Sequence, residues 1–188
     1  MPTRRQIMRK TILGFGGYAI ASSLSCKRPE ERKAKQEASP RTLSEAQLAT
    51  LAAACERILP RDEDPGATDL GCADYIDRAL GDTDVRAQFG RVVASGLTAL
   101  DRQARARFHK PFHEAAAEQQ DALLAAWQRS KFGGESGFFE VLHTLTMEGA
   151  FGDPSHGGNR HGQGYRLIGF VPPPPAPGDH LVHLRGKK

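Results

Sequence analysis

The sequence predicts an all-α protein: a single orthogonal helical domain of about five helices with an irregular, glycine-rich C-terminal extension. Three observations predict this. Between Thr42 and Phe151 the apolar residues recur three and four positions apart, the spacing of one helical face. No stretch alternates apolar and polar residues over the length of a strand. The periodic stretches are separated by stop signals such as Pro60 and Gly81.

The first helix opens at Thr42, with Glu45 three residues on, the layout of a capping box. Leu48, Leu51, Ala52, Cys55, Ile58 and Leu59 then share a face, and Pro60 ends the run. The acidic stretch RDEDPGATDLG, residues 61–71, lacks the alternating Asx ligands and closing Glu of a calcium loop, so it reads as a solvated loop. Cys72–Leu80 forms a short helix closed by Gly81. Val85–Phe108 forms a long one, with Phe89, Val92, Val93, Gly96, Leu97 and Leu100 along its inner face. The stretch EQQDALLAAWQRSK, residues 118–131, supplies a fourth helix, whose Trp127 belongs in the core rather than under a cofactor. A fifth is capped by Ser136 and carries Phe139, Leu142, Leu145 and Met147, and its His143 reads as a packed residue. Cys55 and Cys72 read as two buried free thiols, although an oxidising compartment would allow them to pair. No CxxC pair exists, which excludes a zinc ribbon or an iron–sulfur cluster built from this chain alone.

Charge divides the chain. Residues 1–37 hold 9 Lys/Arg and 3 Asp/Glu, a net of +6, whereas residues 38–188 hold 17 and 19, a net of −2. The basic pI of about 9.1 therefore comes from the N-terminal segment, and the body has no electrostatic footprint for nucleic acid. A mean hydropathy of −0.49 fits a soluble body. In residues 1–25, Arg4 and Arg5 follow Thr3, Ile7 and Met8 follow them, and Lys10 closes a basic region ahead of the mildly apolar Thr11–Leu24. That order is the layout of an export signal, and it resembles a twin-arginine signal, with Arg9 intruding before the Lys. Two processing sites compete: cleavage after Ala21 in Ala19-Ile20-Ala21, and lipidation of Cys26 in a degenerate lipobox where Ser23 replaces the usual Leu. Residues 26–41 are charged and poor in apolar residues, which reads as a disordered tether.

The stretch GAFGDPSHGGNRHGQGYRLIGF, residues 149–170, packs seven glycines, two histidines and an Asn-Arg pair into 22 residues. A dinucleotide loop needs a strand before its glycines and a helix after them. Here a helix precedes and none clearly follows, and no Walker lysine is present. His156, His161 and Asp153 match no metal motif of known mechanics. An ordered loop that docks on a partner remains, with Asn159, Arg160, Tyr165 and Phe170 as its main contacts. The glycines would let it mould itself to that partner. The alternative is a loop that packs back on its own helices, with Phe151 and Phe170 closing the core.

These residues carry a resemblance. LAAACERILPRDEDPGATDLGCADYIDRAL and, more specifically, MEGAFGDPSHGGNRHGQGYRLIGF resemble the gluconate 2-dehydrogenase subunit 3 family across residues 42–171, with Tyr165 where members commonly have Trp. The resemblance implies a non-catalytic subunit with no cofactor of its own. Its partner would be a glucose–methanol–choline-type flavoprotein carrying FAD, often joined by a cytochrome c subunit. The small subunit would carry the export signal through the twin-arginine translocase into the periplasm and support maturation of its partner. An alternative is a free-standing exported lipoprotein or binding module of the same fold. The tail at 172–188, PPPPAPGDHLVHLRGKK, lies outside the pattern, and its proline run reads as a stiff spacer.

Overall fold

The computed structural model describes residues 42–130 and 134–172, so the expectations for Arg4, Arg5, Cys26 and the tail beyond Pro172 lie outside the described residues. The described chain is helical, with no strand among its residues. In order the helices are α1 (Glu45–Ile58), α2 (Ala67–Leu70), α3 (Cys72–Ala79), α4 (Thr83–Val85), α5 (Arg91–Phe108), α6 (Ala117–Arg129), α7 (Gly134–Phe151) and α8 (Gln163–Ile168). A π-helical segment, Arg86–Gly90, joins α4 to α5, and short 3₁₀ turns lie at Phe112–Glu114, Pro154–His156 and Arg160–Gly162.

The first helix starts later than the sequence predicts. Ser44, not Thr42, is the cap: its hydroxyl accepts from Gln47 N at 3.3 Å, and Gln47 Oε1 accepts from Ser44 N at 3.1 Å. The reason is tertiary. The amides of Thr42 and Leu43 both donate to one oxygen of the buried Asp77 on α3, at 3.0 and 2.8 Å. The acidic stretch after α1 is more ordered than a solvated loop, because Glu56 accepts from Arg61 N, Thr68 N and Thr68 Oγ1 and so anchors both ends of it. The long helix begins at Thr83, capped by Asp82, and passes through the π segment before α5. Ser136 sits inside the first turn of α7 and is not its cap.

The core lies where α1, α3, α5 and α6 meet α7. Leu51, Ile76, Leu97, Leu100, Leu123, Trp127, Phe138 and Leu142 are fully or almost fully buried within it. Each such side chain contributes about 1.5–3 kcal/mol from burial. Phe138 is the buried aromatic of α7, one position before the expected Phe139, and it meets Trp127 edge-on at 5.5 Å between ring centroids. Gly96 makes room for that ring: a Cβ there would lie 2.0 Å from Phe138 Cδ2. The indole N–H of Trp127 donates to Gln103 Oε1 at 3.0 Å, so the residue is satisfied as a core member. Cys55 and Cys72 are buried free thiols, and Thr146 Oγ1 donates to Cys55 Sγ at 3.4 Å. His143 is half-buried and stacked on Phe139, and burial holds its imidazole below the ordinary value.

Candidate functional site

The glycine-rich stretch begins where α7 ends. Asp153 caps the turn Pro154–His156 by accepting from Ser155 N at 2.8 Å. The chain then folds back over α7 and α3. Asn159 N donates to Gly149 O at 2.6 Å, Asn159 Nδ2 donates to Gly152 O at 2.8 Å, and Asn159 Oδ1 accepts from Gly164 N at 2.7 Å. Gly164 passes so close to α7 that a Cβ would fall 1.8 Å from Ala150 O, so this contact requires glycine. Arg160 reaches across to α3, where its guanidinium pairs with Asp74 and lies over Gly71.

A helix does follow the glycines, contrary to expectation. α8 has only six residues, too few to declare a period in sequence. It ends in a Schellman motif: Gly169, at φ 66°, donates to Arg166 O at 3.2 Å, and Phe170 N donates to Tyr165 O at 2.9 Å. The hydrophobic contact that accompanies such a motif is the Tyr165–Phe170 ring pair, 4.8 Å between centroids. Arg166 adds a hydrogen bond to His161 O at 2.8 Å.

The four expected contact residues are thus brought into one segment but not into one role. Asn159 is fully buried, so it shapes the loop from behind and presents nothing to the surface. Arg160 is about half-exposed and already paired. Tyr165 is partly covered by Phe170. Phe170 stays 45% exposed and does not close the core. Beside it, Ile168 is 43% and Val171 84% exposed, and these three are the exposed large hydrophobic side chains among the described residues. Sequence reasoning missed Ile168 and Val171. Their signal was a hydrophobic run, RLIGFV, with only one inward-facing member, Leu167, packed against the core. It also missed Asp74, whose pairing with Arg160 spans 86 residues of sequence.

Two clefts lie elsewhere on the described surface. A cleft of about 450 Å³ between α1, α2 and α3 is floored by Leu48, Ala49 and Ala52 and walled by Asp74 and Arg160. A second, of about 710 Å³, runs past Gln47, Arg91, Gln103, Trp127 and Glu135. Tyr75 donates to Glu148 at 3.2 Å, and burial together with that carboxylate pushes its hydroxyl pKa upward, away from any acid–base role near neutrality. Among the described residues no group of three or more His, Cys, Asp or Glu is placed to hold a metal ion, and no helix is long and apolar enough to cross a membrane.

The family model described as gluconate 2-dehydrogenase subunit 3 matches residues 45–173, from the first residue of α1 to just beyond Val171. The chain belongs to the gluconate 2-dehydrogenase subunit 3 family. No curated protein and no solved structure matches it. The family is that of a subunit of a gluconate 2-dehydrogenase complex. The gluconate 2-dehydrogenase subunit 3 match includes both the helical core and the whole glycine-rich stretch, so the segment that carries α8 is part of the family's pattern rather than an appendage.

Proposed function

We propose that this protein is a non-catalytic accessory subunit that binds a flavin-dependent dehydrogenase of the glucose–methanol–choline type through the face carried by α8. The observation that carries the reading is that the exposed large hydrophobic side chains among the described residues are Ile168, Phe170 and Val171, all on the family-specific stretch. An apolar cluster held out in water marks a surface that another molecule covers. Arg160 and Tyr165 flank it with the side-chain types that dominate interface energies. In this reading FAD sits in the partner, and a cytochrome c subunit takes the electrons.

The same proposal covers delivery. Arg4 and Arg5 form the address read by the twin-arginine translocase, the folded flavoprotein travels with this chain into the periplasm, and Cys26 anchors the complex if it is lipidated. The test is to co-express a tagged chain with a glucose–methanol–choline-type flavoprotein from its native cell and to record the visible spectrum of what is retained. The reading expects flavin to be retained in stoichiometric amount and both proteins to reach the periplasm. It expects both to stay in the cytoplasm when Arg4 and Arg5 are changed to Lys. Export of the flavoprotein in the absence of this chain would overturn it.

A further inference from the structure

Asn159 has no solvent exposure, although Arg160 and His161, the next two residues, are exposed. Its side chain spends both of its polar ends on backbone: Nδ2 on Gly152 O, just past the end of α7, and Oδ1 on Gly164 N, in the first turn of α8. Its own amide bonds Gly149 O within α7. One residue therefore joins the end of one helix to the start of the next. Its backbone is left-handed, at φ 43°. Asn tolerates that conformation better than most side chains and carries both a donor and an acceptor. Glycine would meet the backbone demand alone, and aspartate would lack the donor for Gly152 O.

We propose that Asn159 is a positioning latch: it fixes α8, and with it Ile168, Phe170 and Val171, in the docking geometry before a partner arrives. The inference rests on the docking reading above and changes its physics. A helix of six residues does not persist alone in water, where roughly 12–15 residues are needed for even marginal helicity. α8 therefore depends on its tertiary anchors, and Gly164 N is an amide that no intrahelical carbonyl can satisfy. The latch satisfies it. Gly158 and Gly164 serve close approach to α7, not moulding to a partner, so the partner meets a preset face and does not bear the cost of ordering it.

The test combines hydrogen exchange on the whole chain with binding to the co-expressed flavoprotein subunit. In the wild type the Gly164 amide exchanges slowly, like the interior of α7; fast exchange there overturns the latch. Asn159→Gly keeps the left-handed backbone and removes both side-chain bonds. It is expected to speed exchange across residues 163–170 at least about tenfold, to leave α3 and α5 unchanged, and to weaken partner binding roughly tenfold. Gly164→Ala opens the same joint from its other side, since a Cβ there meets Ala150 O, and must weaken binding in the same way. Accelerated exchange in α8 with wild-type affinity would refute the latch. Ile168→Ala with Phe170→Ala separates the two claims. If that variant binds normally, the docking reading itself fails. If it loses binding while Asn159→Gly keeps it, only the latch fails.

Discussion

Arg160 leaves the glycine-rich stretch to pair with Asp74 on α3, and its guanidinium covers Gly71, where an added Cβ would stand 2.6 Å from Arg160 Nε. Both partners are about half-exposed, so the pair is worth no more than about 1 kcal/mol to the fold. Arg160→Ala should therefore melt within a few degrees of the wild type. If Arg160 belongs to the docking face, the same variant should bind the flavoprotein subunit several-fold more weakly. Calorimetry and a binding titration on one preparation separate the two effects.

Asp77 performs a different task. It is buried and accepts two backbone amides from residues 34 and 35 positions earlier, at 2.8 and 3.0 Å. Asp77→Ala leaves both amides without their acceptor and should cost about 1–3 kcal/mol, read as a lower urea midpoint with an unchanged slope.

Asp101 gives the fold a pH dependence. Burial pushes its carboxyl up, but the hydrogen bonds from Arg105 Nε at 2.7 Å and Phe112 N at 2.9 Å outweigh burial and hold it below the usual value. A depressed acid contributes stability above its unfolded pKa of about 4 and loses it as pH falls through the lower folded value. Stability should thus decline below about pH 4 with a component that Asp101→Asn removes. That variant should also be about 1 kcal/mol less stable at neutral pH.

The two thiols should be inert in the native protein. Burial pushes Cys55 up to about 12 and Cys72 higher still, so neither is a thiolate near neutrality. Alkylation of residues 55 and 72 at pH 8 should proceed only as fast as the domain opens, and should become rapid in urea. Rapid labelling of the folded chain would contradict their placement in the core.

How much of this could be read in advance follows from the range of each interaction. The stripe Leu51, Cys55, Leu97 and Leu100 was legible because burial repeats with the helical period. Trp127 was legible as core for the same reason. The start of α1 was misread because the decisive partner of Thr42 is Asp77, which no local pattern announces. α8 was invisible because its six residues complete fewer than two turns, though Gly169 and the following Phe170 were the trace of its cap. Of the candidate contacts, Phe170 is on the surface, while Asn159 is behind it, since only the folded chain brings Gly152 and Gly164 to its two polar ends.

On the reading proposed above, α8 and the residues just after it form the surface that holds the flavoprotein subunit. The most direct measurement is the dissociation constant of that complex for the wild type and for Ile168→Ala with Phe170→Ala, with the melting curve of each free chain recorded alongside. The expected result is a melting temperature within a few degrees of the wild type and binding weakened by at least about a hundredfold, as the loss of hot-spot side chains entails. A variant that binds as tightly as the wild type would contradict it.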